Sequence, residues 1–280
     1  MTHSTTRRFP LMPAAGLVPF FAMLGLFQLA PMGWVLIHSV NVDGAFSLGH
    51  YREILSSAFM RQAFGHSLTI GLWSSLGGLA LATVGAAALR RVGGKLRQFM
   101  VAFTNMVGNF SGVPLAFAFI IFLGANGSLT IILRELGLIS GFNLYSISGL
   151  SVVYTYFQIP LAMLLLFPAF NALDDDWQDA AALLGATPAS YWLRIGLPVL
   201  APALVGTFII LLANAMGAYA TAYALTSGNA NLVTIRIANL VAGDLFLEPN
   251  LAAALSVLLV TLLGLVTIIN RWLLKRNVHA

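Results

Sequence analysis

The chain has 280 residues, of which 59% are hydrophobic and only 8% are charged. An ordinary globular domain is about 25% charged, so this composition excludes a soluble protein. The net charge of +5 is not concentrated in any window that could follow a phosphate backbone, so we expect no nucleic acid partner.

Six long segments without charged residues predict six membrane-spanning helices. A charge near the bilayer centre costs about 2.5 to 3.5 kcal/mol on insertion scales, so the spans lie between the charges. Each segment reaches the roughly 20 residues that a hydrocarbon core of about 30 Å requires. The predicted spans are 12–39, 64–89, 99–123, 149–170, 198–225 and 250–273. Since no repeat or linker separates them, we predict one all-α integral membrane domain over residues 1–280.

The segments between the spans carry local signals of their own. Asp43-Gly44 predicts a turn, and Tyr51 to Leu55 predicts a short surface helix after it. Gly93-Gly94 predicts a turn between the second and third spans. Leu129 to Leu138 predicts a helix that lies at the membrane interface.

The basic residues predict that both termini are cytoplasmic. Six spans place the two termini on one side, and that side carries ten of the 14 Lys and Arg residues. Arg7-Arg8 before the first span could indicate a signal peptide. The apolar segment that follows is far longer than the 7 to 15 residues of a signal sequence, so we interpret it as an uncleaved span.

Neither a catalytic centre nor a metal site is predicted. The chain has no cysteine, its histidines show no metal-ligand spacing, and its acidic residues cluster in loops. Gly93-Gly94-Lys95 lacks both the first glycine and the Ser or Thr of a phosphate-binding loop. We therefore expect no cofactor in this chain, and a bundle of six spans without such groups is by default a conduit or part of one.

The segment between the fourth and fifth spans, residues 172–197, predicts two short helices. Asp174 is a suitable N-cap, and the acidic residues after it favour the positive end of the helix dipole. Ala180 to Leu184 are strong helix formers, and Gly185 is placed to end the helix in a left-handed turn. Thr187-Pro188 then predicts a second N-cap with proline at the first helical position.

The first of these helices combines an apolar face with acidic charge. Trp177, Ala181 and Leu184 share one face by their spacing of three and four residues, with Ala180 and Leu183 beside them. Four aspartates within residues 174–179 depart from the basic bias of cytoplasmic loops, which indicates a basic partner surface. The alternative is a helix lying on lipid headgroups, and anionic headgroups would repel it.

Polar residues within the predicted spans are candidates for lining a transport path. Interhelical hydrogen bonding, worth about 0.6 kcal/mol, is the alternative for each of them. Gly108 to Gly112 has small residues spaced for helix packing, and Pro114 and Pro160 predict bends. No Asp or Glu lies in a span, which argues against a proton relay. The candidates are Asn105, Asn109, Ser111, Gln158, Asn214, Tyr219 and Thr221.

The 172–197 segment resembles the EAA loop of bacterial ABC importer permeases, Glu-Ala-Ala-x3-Gly-x9-Ile-x-Leu-Pro. Asp179-Ala180-Ala181, Gly185 and Ile195-Gly196-Leu197-Pro198 fit every position except the first, where Asp179 replaces Glu. This pattern constrains seven residues across twenty positions. The six-span layout, Ser47-Leu48 with Tyr51, and Ser67-Leu68 extend the resemblance over nearly the whole chain.

The resemblance implies a type I ABC importer permease fold and a set of partners. In such permeases this loop docks into a cleft of the cytoplasmic ATPase pair, where ATP and Mg bind, while a periplasmic or lipid-anchored protein delivers the solute. A second permease subunit, identical or homologous, completes the path. The resemblance assigns the docking contact to Asp179, Ala180, Ala181 and Gly185, and the turn into the fifth span to Ile195, Leu197 and Pro198.

The substrate class follows only from a general resemblance. Residues Gly108 to Gly124 and Leu225-Thr226-Ser227-Gly228 look closest to the spermidine/putrescine and aminoethylphosphonate branch of these permeases. A secondary transporter is the alternative function, and it would favour intramembrane acids or inverted repeats. A membrane-embedded enzyme and a structural scaffold are weaker alternatives.

Overall fold

The computed structural model describes residues 11–42, 44–139, 141–243 and 247–277. The predicted signals at Arg7, Arg8 and Asp43 lie outside these residues. Helices dominate the described part of the chain, with one small hairpin and two π-helical turns (Gly25–Leu29 and Trp192–Gly196). The elements are α1 (Leu11–Leu24), α2 (Ala30–Ser39), β1 (Asn41–Val42), β2 (Ala45–Phe46), α3 (Gly49–Ser56), α4 (Ala58–Arg90), α5 (Gly94–Gly108), α6 (Gly112–Leu123), α7 (Ser128–Glu135), α8 (Ile147–Asn171), α9 (Asp175–Leu183), α10 (Pro188–Tyr191), α11 (Leu197–Gly217), α12 (Ala220–Thr226), α13 (Val233–Ala242) and α14 (Pro249–Asn277).

Six helical segments are long and apolar enough to cross a membrane, which confirms the predicted number of spans. These segments are Leu17–Ser39, Ala58–Arg90, Gly112–Glu135, Ile147–Asn171, Pro188–Gly217 and Pro249–Ile269. Many large apolar side chains on their surfaces are exposed, as is expected of helices that face lipid.

The predicted third span, 99–123, is not one helix. α5 ends at Gly108, and α6 begins only at Gly112, whose φ of +71° is left-handed. Pro114 explains the break, because a proline in the first turn of α6 has no N–H and its ring would clash with the carbonyl of Phe110. Gly108 and Gly112 still pack against other helices, since an added Cβ would lie 3.7 Å from Pro160 and 3.8 Å from Ala220, but they belong to two helices and contact different neighbours.

The predicted fifth span, 198–225, is also divided. α11 ends at Gly217, Ala218 is extended with ψ 108°, and α12 begins at Ala220. The Tyr154 hydroxyl donates a hydrogen bond of 2.8 Å to the Ala218 carbonyl, so a partner on α8 satisfies a backbone group that the break frees. The two breaks adjoin, because Thr221 Oγ1 lies 3.4 Å from the Gly112 carbonyl oxygen.

The core lies between α4, α8 and α11. Buried residues of these helices, among them Ala82, Leu166, Phe170 and Leu211, form one contiguous apolar cluster. α4 and α8 pack tightly at Gly78, where an added Cβ would lie 2.7 Å from the Gln158 Cβ. α2 packs against α14 at the outside of this bundle.

The segments that connect the spans have the turns and short helices that the sequence predicts. α3 confirms the predicted surface helix, and Gly94 has a left-handed φ of +65° in the predicted turn. β1 and β2 form an antiparallel hairpin around Gly44, whose φ is +84°. α7 confirms the predicted helix at Leu129 to Leu138, although it ends three residues earlier than predicted.

Candidate coupling segment and transport cavity

α9 begins as its sequence predicts. Asp174 is the N-cap, and its Oδ1 accepts a hydrogen bond of 3.1 Å from the Asp176 amide. An aspartate at this position satisfies an amide that the helix leaves unpaired and places negative charge at the positive end of the dipole. The acidic run therefore stabilises the start of this short helix.

Gly185 ends α9 in a left-handed turn with φ +81°. The Ala186 amide donates to the Ala181 carbonyl at 2.9 Å, and the Gly185 amide donates to the Ala182 carbonyl at 2.9 Å. This pair of bonds is a Schellman motif, and its left-handed residue carries little strain only when it is glycine. The turn fixes the angle at which the chain leaves α9.

α10 and the entry to α11 complete the segment. The Thr187 side chain accepts from the Ser190 amide at 3.2 Å, and Pro188 is the first helical residue, as predicted. A π-helical turn then joins α10 to α11. In the predicted entry motif, Ile195 is half-buried and Leu197 and Pro198 are exposed in the first turn of α11.

The exposed apolar surface of α9 differs from the predicted face. Leu183 is 90% exposed and Leu184 is 89% exposed, whereas Ala181 is only 7% exposed. Ala181 therefore faces its own chain, and the prediction that it shares an outward face with Trp177 and Leu184 was wrong. The chain turns back at Gly185, and α10, which follows the turn, packs against α9.

Acidic side chains lie beside these leucines. Asp174, Asp176 and Asp179 are exposed, and no described residue forms an ion pair with any of them. Ala180 and Gly185 are exposed as well. The surface of α9 thus offers two leucines and uncompensated negative charge.

Two arginines tie the start of this segment to other helices. Arg90, at the end of α4, donates to the Leu173 carbonyl at 2.8 Å. Arg97, on α5, donates to Asn171 Oδ1 at 3.0 Å and lies 5.0 Å above the Phe167 ring. These bonds connect the end of α8 and the residue that precedes the α9 N-cap to α4 and α5.

A cavity of about 350 Å³ lies where the two helix breaks meet. Four predicted path residues line it: Ser111, Asn214, Tyr219 and Thr221. Phe157 and Leu161 of α8 form an apolar wall that the sequence did not single out, because nothing distinguishes them from other apolar residues of that span. Among the described residues, no charged side chain lines the cavity.

Gln158 does not line the cavity and lies directly behind it. Its side chain is 0% exposed. Its Nε2 donates to the Leu211 carbonyl at 2.6 Å and lies 3.4 Å from Ser75 Oγ, and its Oε1 accepts from Asn214 Nδ2 at 3.1 Å. One amide therefore connects α4, α8 and α11.

Asn105 and Asn109 are not brought into this cavity. Asn109 donates to the Asn105 carbonyl at 2.8 Å, and Asn105 donates to the Val101 carbonyl at 3.0 Å, so both are bonded within α5 and its end. Asn105 borders a separate exposed hollow beside Arg97. Among the described residues, no group of three or more His, Asp or Glu side chains could hold a metal ion.

Comparison with known proteins gives consistent matches. Residues 74–279 match the model of a family described as "Binding-protein-dependent transport system inner membrane component". The trehalose transport system permease protein SugB of Mycobacterium tuberculosis is 24% identical over 247 residues, 84% of this chain and 85% of that protein. The spermidine/putrescine transport system permease protein PotB of Escherichia coli is 25% identical over 186 residues, 64% of this chain and 65% of that protein.

A solved structure has the same fold along almost the whole chain. A bacterial ABC transporter involved in the import of the acidic polysaccharide alginate contains a chain that superposes with a TM-score of 0.75 at 17% identity. The superposition covers 95% of this chain and 96% of that chain.

Proposed function

Because the chain belongs to the family of inner membrane components of binding-protein-dependent transport systems, we propose that α9 receives the motion of a separate ATPase and passes it to the spans. The chain is the permease subunit of an ABC importer in the inner membrane, and it is not the catalytic subunit. Membership of this family also decides against the secondary transporter considered from the sequence.

The observation that carries this proposal is the exposed Leu183-Leu184 pair at the end of α9. Lipid is a poor cover for these leucines, because anionic headgroups would repel the aspartates of the same short helix. A partner protein that accepts two leucines and carries basic residues around them would satisfy both the apolar and the acidic surface. In this proposal Leu183 and Leu184 join Asp179, Ala180 and Gly185 in the docking contact, while Ala181 supports it from inside.

The geometry supports the transmission of motion as well as docking. The Schellman turn at Gly185 fixes the direction of α10, and the Arg90 and Arg97 bonds hold the other end of the segment to α4 and α5. ATP and Mg would bind the partner ATPase pair and not this chain. Closure of that pair would move α9 and thereby open the path to the other face of the membrane.

Co-purification with the ATPase subunit tests the docking assignment. Leu183→Glu combined with Leu184→Glu should reduce the amount of ATPase recovered with the membrane complex by at least about tenfold, since two buried apolar anchors are replaced by charge. Leu136→Glu combined with Leu138→Glu is a matched control, because those leucines are 65% and 68% exposed at the end of α7. Equal ATPase recovery with both double variants would contradict the assignment.

We also propose that α9 and both termini are cytoplasmic and that α7 faces the periplasm. The natural chain has no cysteine, so single cysteines can report each side without background. An impermeant maleimide added to spheroplasts should label Leu138→Cys and leave Leu184→Cys unlabelled until the cells are broken. The reverse pattern would invert the topology and remove α9 from the ATPase.

The imported solute is proposed to be small and polar. The branch expected from the sequence imports polyamines or aminoethylphosphonate, and the names of two relatives mention trehalose and spermidine/putrescine. A solute-binding protein would deliver the solute from outside, and a second permease subunit, identical or homologous, would complete the path. Identification of the solute that the adjacent binding protein binds would test this class directly.

A further inference from the structure

The cavity at the helix breaks contains one polar group whose direction is fixed by a buried backbone carbonyl. The Leu211 carbonyl on α11 can only accept hydrogen bonds, so the Gln158 group that lies 2.6 Å from it must be the NH₂ end of the side chain. The other end of the same amide, Oε1, therefore points towards Asn214. The Gln158 amide cannot be reversed without loss of this buried hydrogen bond.

The orientation of the Gln158 amide also fixes the orientation of the Asn214 amide. Because Gln158 Oε1 can only accept, the Asn214 group 3.1 Å away must be Nδ2, which donates. Asn214 Oδ1 then remains as an acceptor for the cavity beside the second N–H of Nδ2, and no described residue donates a hydrogen bond to Oδ1. The cavity wall consequently holds an oriented acceptor, whereas an asparagine that could turn freely would offer either a donor or an acceptor.

The packing around Gln158 holds the Gln158 and Asn214 side chains in place. Gln158 is fully buried, and an added Cβ at Gly78 would lie 2.7 Å from the Gln158 Cβ, so α4 presses on the side chain from behind. Ser75 Oγ lies 3.4 Å from Nε2 on the same side. Gln158 acts as a positioning residue, since it has no exposed surface through which it could contact a solute itself.

The rest of the lining disfavours ions. Among the described residues no charged side chain lines the cavity, and an unpaired ion taken out of water pays a large desolvation cost. Ser111 and Tyr219 have hydroxyl groups, which both donate and accept, and Phe157 and Tyr219 supply ring surfaces. A neutral solute with several hydroxyl groups can donate to Asn214 Oδ1 and exchange hydrogen bonds with the hydroxyl groups around it.

From this arrangement we propose that Asn214, oriented by Gln158, selects neutral hydroxyl-bearing solutes over oxyanions and polyamines on their way through this subunit. The proposal rests on the permease function proposed above and deepens it by naming a solute class that differs from the polyamine and aminoethylphosphonate branch expected from the sequence. An oxyanion would set its own acceptor oxygens against Asn214 Oδ1, and a polyamine would find no carboxylate among the described lining residues to compensate its charge.

Equilibrium binding tests the selection. The probes are radiolabelled trehalose, spermidine and sulfate, bound to the complete importer with its ATPase in nanodiscs of phosphatidylethanolamine and phosphatidylglycerol. Wild type should bind trehalose saturably and more tightly than either ion. Asn214→Leu should weaken trehalose binding by about tenfold, because it removes the acceptor and leaves a solute hydroxyl unpaired. Asn105→Leu, the same change outside the cavity, should stay within about twofold of wild type.

A Gln158→Met variant separates positioning from general packing. Without the hydrogen bond to Gln158, the Asn214 amide can turn its NH₂ group into the cavity. The preference for trehalose over sulfate should therefore fall by about fivefold. A purely structural role would weaken both probes equally and leave their ratio unchanged. If Gln158→Met fails to accumulate, the comparison of Asn214→Leu with Asn105→Leu still decides the proposal.

The outcomes separate this proposal from the docking assignment. No saturable trehalose binding, tighter binding of spermidine or sulfate, or equal loss in Asn214→Leu and Asn105→Leu would overturn the solute selection. Each of those results leaves the permease assignment standing if the ATPase still co-purifies with the nanodisc complex. Loss of ATPase recovery from wild type would instead contradict the docking assignment.

Discussion

The proposed coupling segment, residues 172–197 around α9, and the cavity at the helix breaks are built by different kinds of interaction. The Asp174 cap, the Gly185 turn and the Thr187 cap each join residues within about five positions of one another. The cavity depends on Gln158, which bonds groups on two other helices that lie 83 and 53 positions away. Local signals therefore specify the segment that we propose as the docking surface, and long-range packing specifies the cavity.

This difference predicts different consequences of mutation. A change in the cavity region should lower the stability of the whole bundle, because α4, α8 and α11 share one core. A change in the coupling segment should leave the bundle intact and reduce transport, because Leu183, Leu184 and Asp179 face outward. Thermal unfolding and solute uptake, measured on the same variants, test whether the two regions differ in this way.

The largest effect is expected for Gly78→Ala. The added Cβ would lie 2.7 Å from the Gln158 Cβ, so α4 and α8 must separate, and overpacking of this kind costs about 1–3 kcal/mol. The midpoint of thermal unfolding should fall. Gly65→Ala is the matched control on the same helix, since nothing lies within 4 Å of its added Cβ and its midpoint should not fall. An equal decrease in both variants would show that the α4–α8 contact is not the cause.

The next effect is expected for Gly185→Val. A β-branched residue at φ +81° costs about 1–2 kcal/mol, which should open the Schellman turn and misalign α10. ATP-driven uptake should fall by about tenfold while the unfolding midpoint and the amount of chain in the membrane stay unchanged. Gly185→Asn should retain most of the uptake, because asparagine tolerates this conformation. Identical uptake by the valine and asparagine variants would show that the Gly185 turn does not affect transport.

A smaller effect is expected for Thr187→Ala. The threonine side chain accepts from the Ser190 amide at 3.2 Å, and loss of such an N-cap costs about 1 kcal/mol. Only the short α10 should fray, so uptake should fall by about twofold. Thr187→Ser keeps the acceptor oxygen and should behave as wild type. A lowered unfolding midpoint in Thr187→Ala would mean that the segment supports the whole bundle.

The smallest effect is expected for Asp179→Lys. An exposed charge contact is worth about 0.2–1 kcal/mol, so reversal of this charge should weaken ATPase recovery by about threefold at low salt. High salt should diminish the difference, because it screens exposed charges. Asp179→Asn should fall between wild type and Asp179→Lys. Salt-independent recovery in all three proteins would show that the acidic surface does not contribute to docking.

The sequence predicted most of what depends on local chemistry. Charge-free segments located six spans because a buried charge is costly in lipid, and the caps and turns of α9 and α10 followed from Asp174, Gly185 and Thr187. Pro114 predicted a bend in the third span, and the structure shows a full break there between α5 and α6. The extent of the break was not predicted, because absence of charge locates a span without showing whether its helix is continuous.

Long-range features carried weaker signals. At the Ala218 break the exposed backbone carbonyl is satisfied by the Tyr154 hydroxyl, 64 positions earlier in the chain, and the sequence does not announce this contact. Asn214 and Gln158 are both polar residues within predicted spans, but the sequence does not show which of them lines the cavity and which lies behind it. The sequence likewise does not show that Ala181 is buried, although its neighbours on α9 are exposed.

Uptake into reconstituted vesicles tests the central claim most directly. Vesicles would contain this chain with its membrane partner, the binding protein and its bound solute outside, and ATP inside, with the ATPase subunit either present or omitted. The account predicts accumulation of solute only when the ATPase is present, and loss of that accumulation with the Leu183→Glu and Leu184→Glu double variant. Accumulation of solute in vesicles without the ATPase would contradict it.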